Sequence, residues 1–272
     1  MRFFRNWYII LKITNIYRLE VASQVKTADI MGVRFHAVTL NEAVDYAMNR
    51  IHTKKKGYIV TPNPEIVYLT LDDPAFRSLV NGAALVLPDG IGIIYAAKIL
   101  GQALFGRVTG IDFADLLMHR MAQEQMRLFL LGAKPGVAEM AAEQLQKKHP
   151  GLIIAGCRDG YFKDAQEAAD AVNAAGGAEA VFVCLGAPKQ EYFMAEWMDK
   201  LDATLLCGLG GSLDVFAGTV KRAPAIFSKL GLEWLYRLCK EPWRFRRMLK
   251  LPLFLLLAIK TRLLPSEKEE TP

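Results

Sequence analysis

The 272-residue sequence has no CxxC pair. Its four cysteines, Cys157, Cys184, Cys207 and Cys239, are scattered, and the first three fall in or at the ends of apolar, strand-like runs. That pattern describes buried free thiols in a reducing compartment, not a disulfide frame or a metal site. The histidines, His36, His52, His119 and His149, show no ligand spacing, which argues against a structural zinc. A Walker loop and a GxGxxG fingerprint are both missing, so a dinucleotide site has little support. No apolar run reaches the roughly 18 to 20 residues of a spanning helix. The longest, Leu251 to Ile259, is short and contains Pro252, and the Trp7 to Ile10 patch is broken off by Lys12 without a clear signal-peptide cleavage site. The expectation is a cytoplasmic protein that can lie on the inner face of a membrane but does not cross it.

What is present is a core and an uneven charge. Hydrophobic residues make up 52%, enough to exclude a disordered chain, and the length suits one α/β domain with an appendage. The net charge of +6 conceals two regions. Residues 31–220 hold 17 Lys/Arg against 21 Asp/Glu, while residues 221–262 hold 11 Lys/Arg against Glu233 and Glu241 alone. A mildly acidic body thus carries a C-terminal block of charge +9, which calls for an anionic partner such as phospholipid, nucleic acid or pyrophosphate.

Three segments are expected. Residues 1–30 are basic and aromatic, with Arg2, Arg5, Lys12 and Arg18 among Phe3, Phe4, Trp7 and Tyr8. They read either as a peripheral helix or as an over-extended start ahead of Met31. From Gly32 to residue 220 strand-like runs (33–38, 58–61, 85–87, 128–131, 152–155, 180–185 and 204–207) alternate with helical ones near 64–80, 91–101, 110–124, 135–148, 164–175 and 188–200. Thr39 and Glu42 form a capping box between the first strand and a helix. The alternation predicts an α/β fold with a mainly parallel, Rossmann-like sheet covered by helices on both faces. Residues 221–272 form a basic helical appendage in which Trp234, Tyr236, Trp243, Phe245 and Phe254 are interleaved with cations. It reads as an interfacial, membrane-associating helix, the plainer alternative being a helix packed on the core with a solvated basic face.

In an open α/β sheet ligands bind beyond the carboxyl ends of the strands, so the strand-to-helix turns are the places to search. Thr61-Pro-Asn-Pro-Glu65 offers a hydroxyl and an amide, although Asn63 can equally be an N-cap ahead of Pro64. Leu87-Pro-Asp-Gly-Ile-Gly92 delivers Asp89 to a turn among apolar neighbours, either as a general base or as the cap of the helix at 91. In Gly106-Arg-Val-Thr-Gly-Ile-Asp112, Arg107 can meet a phosphate and Thr109 can begin a helix. Leu131-Gly-Ala-Lys-Pro-Gly136 and Gly208-Leu-Gly-Gly-Ser-Leu-Asp214 are glycine-rich turns suited to a diphosphate. In Leu185-Gly-Ala-Pro-Lys-Gln-Glu191, Pro188 starts a helix whose first turn carries Gln190 and Glu191. Taken singly, each of these turns is also readable as a plain αβ connection.

In order and spacing, TPNPE, LPDGIG, GRVTGID, FLLGAKPG, LGAPKQE and GLGGSLDVFAGTVKRAP resemble the WecG/TagA/CpsF glycosyltransferase family over residues 31–250. The resemblance implies an inverting transfer of N-acetylmannosamine or a related sugar from its UDP form to undecaprenyl-diphosphate-linked N-acetylglucosamine, in cell-wall or surface polysaccharide synthesis. It further implies no metal or other cofactor. Asp89 would be the base. Thr61 and Asn63 would line the sugar and acceptor pocket, and Arg107 and Gln190 would hold the nucleotide sugar. Arg237, Arg244 and Arg247, in the LYR and EPWRFRR stretches of the tail, would close over the site and meet diphosphate charge. This fits a chain without a DxD metal motif, in which arginines and helix N-termini must stabilise the leaving diphosphate. The implied partners are a UDP-N-acetylhexosamine, the polyprenyl-diphosphate acceptor and an anionic membrane surface, not nucleic acid. A homo-oligomer stays open, as does the identity of the sugar. The competing readings are a nucleotide-dependent epimerase or oxidoreductase, and a non-catalytic membrane-binding module.

Overall fold

The structure, a computed structural model, describes residues 26–224, 226–227, 231–240, 245 and 250–264. Six strands form one parallel sheet: β3 (Gly57–Val60), β4 (Leu85–Val86), β5 (Arg127–Gly132), β6 (Ile153–Arg158), β7 (Ala178–Cys184) and β8 (Ala203–Gly208). Their spatial order is β4-β3-β8-β7-β5-β6, and every pairing is parallel. The strands are short and almost wholly apolar because both faces are covered. Successive residues point to opposite sides, so Leu128 and Leu130 join one core while Phe129 and Leu131 join the other. The first core is closed by α1 (Leu40–His52), α5 (Gly110–Gln123), α6 (Val137–Lys148) and α9 (Ser212–Phe216). The second is closed by α2 (Pro64–Asp72), α3 (Pro74–Asn81), α4 (Ile91–Leu100), α7 (Ala165–Ala174) and α8 (Lys189–Trp197). The α/β architecture expected from the alternation is therefore the one observed.

Local chemistry sets the helix starts. Thr39 and Glu42 form the reciprocal capping box that opens α1. Asn63 accepts from the Glu65 and Ile66 N–H groups, with Pro64 in the first turn of α2. Thr109 caps α5 through the Asp112 N–H. Two expectations about element bounds need correction. The helical run expected at 64–80 is two helices, because Asp73 leaves the helical conformation and caps a second one that begins at Pro74. Regular structure also begins before Gly32. Thr27–Ile30 is a strand, β1, paired antiparallel with β2 (Val33–His36) through a two-residue turn in which Met31 and Gly32 both have positive φ. Ala28, Ile30, Val33 and Phe35 bury one face of this hairpin in the second core. His36 ends β2 by accepting the Val86 N–H at 3.0 Å through Nδ1, and burial lowers the proton affinity of its ring.

The C-terminal segment contributes α10 (Glu233–Lys240) and α11 (Lys250–Leu263). Phe254 and Ala258, one turn apart, bury α11 against the second core, where the Phe254 ring contributes about 1.5–3 kcal/mol. Gly92 permits this packing. A Cβ there would sit 2.4 Å from Leu251 Cδ1 and 2.6 Å from Pro64 Cγ. On the outer side of α11, Leu253, Leu256, Ile259 and Leu263 are exposed beside Lys260 and Arg262. Among the described residues no helix is long and apolar enough to cross a membrane.

Candidate active site

The carboxyl ends of β3, β4, β7 and β8 bring four of the expected residues together. Asp89 follows β4. It does not cap the helix that starts at Ile91: the N-cap there is Gly90, with φ of 91° and no side-chain bond. The Asp89 carboxylate instead turns toward α5, where Oδ2 accepts the Gly110 N–H at 3.2 Å. Its own N–H donates to Pro62 O at 3.2 Å, and the Val108 N–H donates to Pro88 O at 2.9 Å. The PDG turn is thus tied to the TPNPE turn on one side and the GRVTGID turn on the other.

The chain of contacts continues. Gly110 lies against Thr61, whose Oγ1 would be 3.2 Å from a Cβ at that position. Thr61, which follows β3 and is 8% exposed, donates through Oγ1 to Gly208 O at 3.0 Å. The turn after β8 is held from its other side by Gln190, whose Oε1 accepts the Gly210 N–H at 2.9 Å. Gln190 Nε2 in turn donates to Glu191 Oε1 at 2.8 Å. Asn63 stands beside this line, packed against Gly90, with its amide oxygen committed to capping α2. The inner wall of the site is therefore a network of backbone and short polar side chains rather than a row of ligand-facing groups.

Arg107 lies at the edge. Its half-buried guanidinium is 3.5 Å from Glu233 Oε2, in the first turn of α10, so the C-terminal segment reaches the site. Lys250 Nζ lies 3.8 Å from Glu65 Oε1 in the same region. Of the three tail arginines, Arg237 is on α10 with a side chain outside the described residues, and Arg244 and Arg247 lie outside them altogether. The glycine-rich turn after β5 flanks the site from the β5–β7 side. A Cβ on Gly132 would lie 2.3 Å from Cys184 O, so only glycine lets the two strand ends approach. Cys184 and Cys207 are buried free thiols, and burial pushes Cys184 up to about 12. Cys239 is exposed.

Among the described residues no three His, Cys, Asp or Glu side chains come together as a metal site. A recess of 480 Å³ between the β1–β2 turn and α11, lined by Met31, Leu71, Leu100 and Leu257, lies away from the strand ends and takes no part in this arrangement. Two participants were not legible as such in the sequence. Glu191, which the sequence places only in the first turn of a helix, is 1% exposed. Glu233, within a strongly basic segment, carried no sign that it would meet Arg107.

The model of the glycosyl transferase WecG/TagA/CpsF family matches residues 28–268. The chain belongs to this family. Membership makes this glycosyltransferase an enzyme and sets aside both the epimerase or oxidoreductase reading and the non-catalytic module. Among its relatives is a protein of Bacillus spizizenii, 40% identical over 206 residues that span 76% of this chain and 80% of the relative. A Bacillus subtilis protein is 34% identical over 237 residues, 87% of this chain and 92% of the relative. A Staphylococcus aureus protein is 34% identical over 239 residues, 87% and 94% of the two chains. All three are named N-acetylglucosaminyldiphosphoundecaprenol N-acetyl-beta-D-mannosaminyltransferase.

Proposed function

We propose that this glycosyltransferase moves N-acetylmannosamine, or a closely related N-acetylhexosamine, from a UDP-sugar to undecaprenyl-diphosphate-linked N-acetylglucosamine, with inversion. Asp89 is the general base. The observation that carries this reading is the Asp89 carboxylate, set at a strand end by the Gly110 N–H and flanked by Thr61 and Asn63. The shared name of three relatives that align over most of their length supplies the acceptor and sugar classes.

Inverting transfer needs one base to accept the proton of the acceptor hydroxyl as that oxygen attacks the anomeric carbon. It also needs positive charge where UDP departs. One Asp89 oxygen fixes the carboxylate's direction through Gly110, and the carboxylate has further lone pairs to receive the proton. Thr61 and Asn63 line the sugar side. Arg107 and Gln190 serve the nucleotide sugar, and Arg237, Arg244 and Arg247 neutralise the diphosphate as the appendage closes. In this reading the charge comes from arginines and backbone N–H groups, with no metal ion, and the basic appendage with its exposed leucines holds the enzyme at an anionic membrane face.

The deciding experiment is a donor screen with a short-chain lipid-diphosphate-N-acetylglucosamine acceptor, read by mass spectrometry. Product with UDP-N-acetylmannosamine in excess of every other donor supports the reading. Transfer from a different sugar corrects the donor, and no product with any UDP-sugar overturns it.

A further inference from the structure

Three buried side-chain atoms among the described residues have no hydrogen-bond partner: Arg50 Nε, Trp197 Nε1 and Glu191 Oε2. The last belongs to a carboxyl that is 1% exposed and stands one residue from Gln190. Burial raises its proton affinity and outweighs the opposing hydrogen bond from Gln190. An apolar side chain of the same size would fill this space without leaving an acid oxygen unpaired, so the carboxyl is costly where it stands. Rules broken in this way are characteristic of functional sites.

What the carboxyl does is visible in its bond to the neighbouring side chain. A carboxamide has two ends of the same shape and opposite hydrogen-bonding sense. Glu191 Oε1 takes the Nε2 end of Gln190, and the Oε1 end then faces the Gly210 N–H. A flipped amide would set two donors against each other at Gly210. Gln190 also packs directly on the end of β8, since a Cβ at Gly208 would lie 3.1 Å from its Nε2. The same turn is gripped from its far side by the Thr61 hydroxyl at Gly208 O. We infer that Glu191 is a positioning residue for sugar transfer: it locks the orientation of Gln190 and, through it, the Gly208–Gly211 turn against which Thr61 and the Asp89–Gly110 pair are set. The kinetic half of this inference rests on the transfer reading above, whereas the backbone half stands by itself.

The test uses the full chain and two readouts, amide hydrogen exchange over residues 208–211 and steady-state transfer. Glu191→Met removes the acceptor while keeping the volume. It is expected to speed exchange in the turn by about 10-fold or more, and to lower kcat by about 10- to 100-fold with little change in the donor KM. Glu191→Gln keeps an uncharged carbonyl in the place of Oε1 and is expected to restore both to within about threefold of wild type. If Glu191→Met does not fold, Glu191→Asp carries the same test, because its carboxyl is drawn back by one methylene. A folded variant lacking the acceptor that keeps wild-type exchange overturns the inference. So does one whose exchange rises with kcat unchanged, and so does a Glu191→Gln variant as impaired as Glu191→Met. Faster exchange in Glu191→Met, with a wild-type chain that turns over no UDP-sugar, supports the backbone link and overturns the transfer reading alone.

Discussion

Asp89 and Gly110 are 21 residues apart in sequence, and the carboxylate of the first accepts the N–H of the second at 3.2 Å. The bond joins the end of β4 to the first residue of α5, and it aims the only carboxylate expected to act on substrate. Its consequence separates chemistry from architecture. An asparagine at position 89 keeps an oxygen for the Gly110 N–H but cannot take a proton at neutral pH. Asp89→Asn is therefore expected to lose about 10²- to 10⁴-fold in transfer, while its melting temperature and its calorimetric affinity for UDP stay near wild type. A folded variant with wild-type turnover removes Asp89 from the role of base.

Gly92 tests how far the C-terminal segment belongs to the site. A methyl group there meets Leu251 and the Pro64 ring at less than contact distance. The leucine can rotate away but the ring cannot, so α11 must shift or α2 must move. Gly92→Ala is expected to destabilise the chain by about 1–3 kcal/mol and to speed limited proteolysis between α10 and α11. Transfer should fall with it, since the displaced segment carries Glu233 to Arg107 and Lys250 to Glu65. Intact proteolytic resistance in this variant would mean that α11 is not held at Gly92.

Signals that act over three or four residues were readable in advance. The Thr39–Glu42 box and the Asn63–Pro64 start depend only on neighbours, and both are present. The second helix start, at Asp73–Pro74, has the same signature, but it lies inside a stretch that reads as one helical run over 64–80. The β1–β2 hairpin was harder, because its turn residues are Met31 and Gly32 rather than an Asn-Gly or Asp-Gly pair. At the site, the sequence offered Asp89 as a base or as a cap. Only the fold shows that its backbone partner is Gly110, across a separation no local pattern encodes. Glu191 failed for the same reason. Its neighbours in sequence say first turn of a helix, and its burial comes from chain segments far from it.

Glu191 also gives the chain a proton-linked stability. The folded state holds this carboxyl in its neutral form to higher pH than the ordinary value of 4.5. Below that value folded and unfolded chains both bind the proton, and the group contributes no pH dependence. As pH rises past it the unfolded chain releases the proton first, so the native state binds more and its stability declines through the raised value. Glutamine has no such proton. Thermal melts of wild type and Glu191→Gln are expected to lie closest near pH 4.5, with the variant gaining relative stability toward neutral pH. A gap that stays constant from pH 4.5 to 8 would show that the buried carboxyl does not hold its proton.

The outer side of α11 yields the last prediction. Leu253 and Leu256 are 51% and 61% exposed, and Lys260 and Arg262 follow on the same helix. Apolar residues inserted into the headgroup boundary and cations held at an anionic surface add to one another, the second at about 1 kcal/mol per charge. Replacing both leucines with glutamate removes a large part of the first contribution, leaving Ile259 and Leu263, and opposes the second. The core-facing Phe254 and Ala258 are untouched, so the fold is expected to keep its melting temperature. Binding to vesicles rich in phosphatidylglycerol should drop by about 10-fold or more, each tenfold corresponding to about 1.4 kcal/mol. The residual binding should be more sensitive to added salt than that of the wild type, because a larger share of what remains is electrostatic. Transfer to a lipid-embedded acceptor should fall in step, while transfer to a short-chain, water-soluble acceptor should not. Unchanged co-sedimentation of the double variant would mean that this side of α11 does not meet the membrane.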